Sequence, residues 1–158
     1  MAGETNRLIA IDLDEASLGA ASADADHERR IAIFDLLESN VFEVEGEDAG
    51  PYALKLLVID QRLIFEVSGK DGGAPKSVVL SLTPFRRVIK DYFLVCNSYY
   101  DAIRNATPTQ IEAIDMGRRS LHNEGSRLLE ERLAGRLKMD FDTARRLFTL
   151  ICALHVRG

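Results

Sequence analysis

The sequence predicts an α+β protein, with an N-terminal antiparallel β-meander packed against a C-terminal set of about three helices. Two observations carry this prediction. Apolar residues recur with a period of two through much of 41–82, and with a period of three to four after residue 83. Strands followed by helices are typical of the α+β class. The length of 158 residues suits one domain, so we expect a single domain over 1–158, strand-rich in 1–82 and helical in 83–158.

The first elements follow from local patterns. Residues 7–13 alternate and predict a half-buried strand, whereas the small and acidic stretch 14–25 predicts a loop. A three-to-four residue rhythm then predicts a helix from about Asp26 to Glu38.

Four short alternating runs predict the meander. They cover 41–44, 52–58, 63–67 and 78–82. Turn-rich segments separate them, and the pair Asp60-Gln61 fits a tight hairpin although neither residue is glycine. We therefore expect an antiparallel sheet with one solvated face.

The segment 83–104 is the longest helical signal. Thr83 suits an N-cap and Pro84 suits the first helical position. At about 100° per residue its apolar residues occupy one arc of roughly 180°, which predicts that other elements cover most of that arc. Leu94 is the one apolar residue on the opposite, polar arc. The apolar arc contains Phe85, Val88, Ile89, Tyr92, Phe93, Val95, Cys96, Tyr99, Tyr100 and Ile103.

Two more helices follow. Thr107-Pro-Thr-Gln110 forms a capping box with proline at the first helical position, and the helix can extend to Gly135 unless the stretch 117–125 divides it. Residues 136–141 alternate and predict an extended segment. Asp140 or Asp142 then caps a final helix.

Charge is distributed unevenly along the chain. Residues 1–82 carry 7 Lys/Arg and 16 Asp/Glu, and residues 83–158 carry 13 and 9, which gives −9 and +4 and the total of −5. Such a distribution favours either solvated acidic loops near the arginines or a basic surface for an acidic partner. With no signal-like or membrane-spanning run and two isolated cysteines, Cys96 and Cys152, a cytoplasmic protein is expected.

The usual chemical motifs are missing from the sequence. The three histidines have no ligand spacing, so no metal site is predicted, and no phosphate-binding glycine loop or nucleophile motif suggests a cofactor or an enzyme. The two cysteines suit small core residues better than nucleophiles.

Arg-Arg occurs four times, and nucleic-acid binders use such pairs to neutralise phosphates. The pairs occupy 29–30, 86–87, 118–119 and 145–146. Three have an acid four residues upstream, and Arg87 has Asp91 four residues downstream, which predicts exposed intrahelical ion pairs instead. With a pI near 5.2 the second interpretation is favoured.

Arg118 and His122 form a polar stripe on the apolar face of the second C-terminal helix. They are four residues apart and therefore neighbours on its surface. Buried basic groups need acceptors, which leaves three alternatives. A protein carboxylate such as Asp91 or Asp101 pairs with them, a break near Asn123 exposes them, or they bind an anionic ligand.

Four segments carry a recognisable pattern, Leu82-Thr-Pro-Phe-Arg-Arg-Val-Ile-Lys-Asp-Tyr-Phe93, Ile111-Glu-Ala-Ile-Asp-Met-Gly-Arg-Arg119, Leu121-His-Asn-Glu-Gly125 and Asp140-Phe-Asp-Thr-Ala-Arg-Arg-Leu-Phe148. Together they resemble an uncharacterised bacterial family, uncharacterised protein family 0262 of alphaproteobacteria. The resemblance spans nearly the whole chain and includes residues 27–30 and 50–52. It implies a stand-alone cytoplasmic bacterial protein and supplies no activity and no functional residues.

Three functions follow as hypotheses. The leading one is a non-enzymatic protein that binds another protein or a second copy of itself, with Leu94, Arg86, Arg87 and Lys90 as interaction residues. The alternative is an anionic-ligand site or enzyme that uses Arg118 and His122. The third is nucleic-acid binding through Arg86, Arg87, Lys90 and Arg104.

Overall fold

A computed structural model describes residues 5–19 and 21–155. The helices and strands alternate in the first half of the chain, and helices dominate the second half. The helices are α1 Glu15–Leu18, α2 Ala23–Glu38, α3 Arg86–Asn105, α4 Pro108–Leu133 and α5 Phe141–Leu154, with a 3-10 turn at Thr83–Phe85 before α3. The strands are β1 Leu8–Leu13, β2 Phe42–Val44, β3 Tyr52–Ile59, β4 Arg62–Ser68, β5 Lys76–Ser81 and β6 Leu137–Met139. The predicted α+β class is confirmed.

The main sheet has the strand order β1-β3-β4-β5. β3, β4 and β5 form the predicted antiparallel meander, and β1 adds to it in parallel with β3. The turn between β3 and β4 is the predicted hairpin, with φ of 49° at Asp60 and 60° at Gln61. Both residues adopt the left-handed conformation of a type I′ turn, whose twist matches the flanking strands.

One predicted meander strand belongs elsewhere. β2 pairs antiparallel with β6 in a separate two-stranded sheet, so the prediction that the run 41–44 begins the meander is wrong. Residues 136–141 do contain an extended segment, as predicted, and that segment is the partner of β2. A period of two predicts a strand but carries no information about which strand pairs with it.

The predicted loop 14–25 contains helical structure. Asp14 caps the short α1 by accepting from the Ser17 amide at 3.1 Å, and the Ser17 hydroxyl accepts from the Val58 amide at 3.0 Å. That bond to β3 holds the turn against the sheet. Ser22 caps α2, which therefore begins three residues earlier than the predicted start at Asp26.

The core lies between the inner face of the main sheet and the helices. Leu54, Leu56 and Phe65 of the sheet are fully buried, as are Leu36 of α2 and Leu147 of α5. This cluster combines residues from both halves of the chain. No helix in the part of the chain that the structure describes is long and apolar enough to cross a membrane.

α3 and α4 form a helical hairpin with two unlike parts. In the hairpin base, residues 86–93 and 121–133, side chains such as Val88, Ile89 and Leu129 are buried. In the hairpin tip, residues 94–120, Ala102 is the one buried residue, and every tip residue is described. The prediction that most of the apolar arc of 83–104 is covered is therefore wrong beyond the base, since Tyr100 and Ile103 are 66% and 52% exposed.

Candidate functional site

His122 lies where α3, α4 and α5 meet. Its ring is packed edge-to-face between Tyr92 of α3 and Phe148 of α5, with centroid distances of 5.4 and 5.1 Å. Its Nε2 is 2.8 Å from the Thr149 hydroxyl oxygen. The residue is 9% exposed, so an apolar and aromatic environment surrounds the imidazole.

The hydrogen bonds around His122 define its protonation. The Thr149 hydroxyl donates to the Arg145 carbonyl oxygen at 3.1 Å, so its oxygen accepts from Nε2–H of His122. Burial, and to a lesser degree the nearby charges of Arg145 and Arg118, together lower the pKa of His122 to about 4. The imidazole is therefore neutral at pH 7, and its Nδ1 is buried without a hydrogen-bond partner.

Arg118 has a carboxylate partner on its own helix. Its Nη2 donates to Asp115 at 2.5 Å, and its guanidinium lies 5.1 Å from the centroid of the Tyr99 ring. The hydrogen bond from Arg118 holds the pKa of the Asp115 carboxyl below its usual value. The partner is thus neither Asp91 nor Asp101, the carboxylates that the sequence suggested.

α4 runs without a break from Pro108 to Leu133, so the alternative of a break near Asn123 is wrong. The close approach of α5 explains the glycine at position 125, because a Cβ there would overlap the Phe148 ring. Gly117 in the tip has no such neighbour within 4 Å of a built Cβ. The glycine of the base is a packing requirement and that of the tip is not.

This arrangement positions side chains but offers little reactivity. The one free nitrogen of His122 is buried, and both basic side chains already have partners within the chain. Burial also raises the pKa values of the Cys96 and Cys152 thiols, which disfavours the nucleophilic thiolate. Among the described residues, no group of three or more His, Cys, Asp or Glu side chains could hold a metal ion. The geometry thus supports a structural role for Arg118 and His122.

The second candidate surface is the outer side of α3. Phe93, Cys96, Tyr100 and Ile103 follow at spacings of three, four and three residues, so they form one stripe, the α3 seam. Phe93 and Cys96 are half-buried, whereas Tyr100 and Ile103 are exposed. Sequence reasoning assigned this stripe to the buried arc, although the heptad-like spacing was visible in the sequence.

Basic residues lie beside the α3 seam. At about 100° per residue, Arg86, Lys90 and Arg104 fall on one side of it and form the basic border. All three are exposed, and none has an ion pair in the described part of the chain. Leu94, one turn beyond Lys90, is 55% exposed as its place on the polar arc predicts.

Arg87, the remaining predicted interaction residue, is not free. It pairs with Asp91 of its own helix and with Glu124 of α4, both at 3.1 Å. The pair with Glu124 joins α3 to α4 in the hairpin base. Arg87 is therefore ion-paired, whereas Arg86 has no ion pair within the described residues.

Other arginines of the Arg-Arg pairs bond either to carboxylates or to backbone carbonyl oxygens. Arg30 pairs with Asp26 and Arg119 with Asp115, as their spacing predicts. Arg146 instead donates to the Ser39 carbonyl oxygen at 3.2 Å, so the predicted pair with Asp142 is wrong. Arg29 is buried, and its donation to the Ala153 and Leu154 carbonyls caps the end of α5.

Comparisons with known proteins place the chain in a family. The model of the uncharacterised protein family UPF0262 matches residues 5–157. A UPF0262 protein of Hyphomonas neptunium is 61% identical over 150 residues, which are 95% of this chain and 93% of that protein. One from Mesorhizobium japonicum is 60% identical over 153 residues, 96% of this chain and 94% of the other, and one from Agrobacterium fabrum is 56% identical over the full length of both chains. No solved structure matches. The chain belongs to the uncharacterised protein family UPF0262.

Proposed function

We propose that this protein is a non-enzymatic interaction protein that binds an acidic amphipathic helix of another protein on the α3 seam. The observation that carries the proposal is the exposure of Tyr100 and Ile103 on a stripe with heptad-like spacing. Contiguous exposed apolar side chains mark contact surfaces more often than isolated ones do. A helix is the natural occupant of such a stripe, because residues at these spacings interdigitate with a facing helix.

Charge selects an acidic partner. The basic border contributes three cations, and Asp101 is the one carboxylate on the same side of α3 by helical geometry. Two copies of the chain would bring basic borders near one another, which disfavours a symmetric dimer through this surface. A nucleic acid would pair its phosphates with the cations, but it would not pack apolar side chains against the α3 seam as a facing helix would.

A photo-crosslinking amino acid at position 100 tests the proposal in cells. We expect adducts whose crosslinked peptide maps to an acidic amphipathic helix of another protein. The matched control is the same amino acid at position 34, because Phe34 is 67% exposed on α2 and away from the seam. Adducts with a second copy of this chain, adducts with nucleic acid, or equal labelling at both positions would contradict the proposal.

Substitution tests the same surface in solution with the partner segment so identified. Tyr100→Glu should weaken binding at least about tenfold, since hot-spot aromatics commonly contribute more than 1.4 kcal/mol. Leu94→Asp should weaken it less, because Leu94 lies at the far edge of the surface. Phe34→Glu should leave the affinity unchanged, and binding should weaken with added salt. Unchanged binding in Tyr100→Glu would exclude the seam as the contact.

A further inference from the structure

The main sheet has two edge strands, β1 and β5, and a side chain binds the backbone of each. At β1, Oδ1 of Asn40 accepts from the Leu8 amide at 2.7 Å, and Nδ2 of Asn40 donates to the Leu8 carbonyl oxygen at 3.1 Å. At β5, Nη1 of Arg136 donates to the Val79 carbonyl oxygen at 2.8 Å. Such contacts matter because an open strand edge presents unpaired backbone groups to which another chain can bind.

The two side chains are held in the same way. Asn40 follows the end of α2, and Arg136 follows the end of α4. Each donates to the carbonyl oxygen four residues earlier, that of Leu36 at 2.9 Å and that of Arg132 at 2.5 Å. Those carbonyls lie in the last helical turn, where no partner exists within the helix. At both edges, one side chain therefore links the end of a helix to the edge of the sheet.

The edge of β5 is open except for this one contact. The Leu82 amide donates to the Gln61 carbonyl oxygen at 3.0 Å, and bonded pairs recur at every second residue of an antiparallel ladder. The residues whose backbone groups point away from β4 are therefore Ser77, Val79 and Ser81. All three are exposed. Within the described residues, the Arg136 side chain is the one hydrogen-bond partner of these outward groups.

This edge is complementary to a second copy of itself. An antiparallel β5 centred on Val79 would place Val79 opposite its own copy and Ser77 opposite Ser81, with no charge among these residues. On the solvated face, Val79 is in register with Ile64, and Ile64 is in register with Leu57. Pairing of two copies would therefore continue an apolar row from one sheet into the other, which stabilises strand pairs.

We propose that the Arg136 side chain blocks β5 from pairing with β5 of a second copy. Its guanidinium binds the carbonyl of Val79, the residue on which that pairing is centred. Two guanidinium groups would meet at the axis of the pair, where their charges repel. Arg136 makes no ion pair within the described residues, so no carboxylate neutralises this charge. The proposal concerns the main sheet and does not depend on the α3 seam.

Amide hydrogen exchange of the unmodified chain tests whether the edge is open. We expect fast exchange at Ser77, Val79 and Ser81. The amides of Val78 and Leu80 should exchange at least about a hundredfold more slowly, because they donate to β4. Equal protection of the two sets would show that another contact already covers the edge and would overturn the proposal.

Sedimentation velocity tests the blocking role. Arg136→Met keeps an unbranched stem but removes the donors and the charge. It should dimerise as the concentration rises from about 10 to 500 µM, a range chosen because two short strands form a small interface. In the dimer, the Val79 amide should exchange at least about tenfold more slowly.

The matched control is Arg62→Met, the same change at an exposed residue of β4 that has no ion pair within the described residues. It should sediment as the wild type does. A monomeric Arg136→Met without added protection at Val79, or equal association of Arg62→Met, would overturn the proposal. If circular dichroism shows that Arg136→Met is unfolded, Arg136→Gln replaces it with the same expectation. Loss of the fold in both would assign Arg136 a purely structural role and would also overturn the proposal.

Two further variants separate blocking from a structural link between α4 and β5. Val79→Pro added to Arg136→Met should restore the monomer, because proline removes an outward amide and leaves the bonds to β4 in place. Arg136→Glu also loses the bond to Val79, but it keeps a charge at the edge and should stay monomeric. A dimer that persists with Val79→Pro, or association of Arg136→Glu equal to that of Arg136→Met, would contradict pairing through β5.

Discussion

The base and the tip of the α3–α4 hairpin use the same two helices under different constraints. In the base, Val88, Ile89, Leu129 and Leu133 are buried against the rest of the core. In the tip Ala102 is the one buried residue, and Tyr100, Ile103 and Met116 are exposed. In the base, the core requires apolar side chains on these helices. In the tip, no core covers the helices, yet apolar side chains are still present.

The tip stays helical because helix formation is cooperative. Nucleation is the costly step, and each further residue adds a hydrogen bond at much smaller entropic cost. The base anchors both helices, and the Thr107 capping box stabilises the start of α4 at the far end of the tip. The exposed apolar side chains of the tip, such as Tyr100 and Ile103, are therefore not needed to form it, and a contact with another molecule is the explanation that we propose for them.

The largest expected contrast comes from aromatic truncation. Phe148→Ala removes a fully buried ring that packs against the base and should lower the free energy of unfolding by about 3–5 kcal/mol. Tyr100→Ala in the tip should change it by no more than about 0.5 kcal/mol. Urea unfolding followed by circular dichroism measures both. Comparable losses in the two variants would show that the tip contributes to the core after all.

The two glycines of α4 give an intermediate contrast. Gly125→Ala should destabilise the protein by about 1–3 kcal/mol, because the added methyl group displaces Phe148. Gly117→Ala should stabilise it by about 0.5–1 kcal/mol, since its site is open and alanine favours the helix. Thermal unfolding of both variants checks the signs. Stabilisation by Gly125→Ala would mean that the packing around Phe148 can relax.

The most gradual effect, spread over more than two pH units, is a pH dependence where the base meets the tip. In the folded chain the pKa of His122 is about 4, below its ordinary value of 6.5, so between these values only the unfolded chain binds the proton. Stability should therefore fall as the pH is lowered from 6.5 towards 4, by at most about 1.4 kcal/mol per pH unit from this residue.

Comparison of variants isolates this contribution. His122→Gln should flatten the pH dependence of the free energy of unfolding between pH 5 and 7, whatever its effect on the absolute value. His27→Gln, at an exposed position of α2, serves as the control and should retain the slope. A wild-type slope in His122→Gln would show that His122 is not the group responsible.

Local chemistry explains the features that could be predicted. The capping box at Thr107, the turn at Asp60-Gln61 and the strands of the meander each depend on residues within a few positions of one another. The ion pairs of Arg30 with Asp26 and of Arg87 with Asp91 follow from helical spacing in the same way.

Other features depend on distant parts of the chain. The Ser17 hydroxyl that accepts from Val58 and the Arg146 side chain that donates to Ser39 were not predictable, because their partners lie in other elements. The pairing of β2 with β6 is of the same kind. The candidate site shows the same division, since the sequence placed Arg118 and His122 together but did not indicate that Thr149 and Phe148 surround the imidazole.

By itself, the sequence determined most of the helices and strands, which of their faces are apolar and the family to which the chain belongs. The tertiary structure alone decided which of those apolar faces are covered. The reason is physical: caps, turns and periodicity act within one element, whereas burial requires a second element at the right place. Along α3, Ile89 has such a partner and Tyr100 does not, although both lie on the same predicted arc.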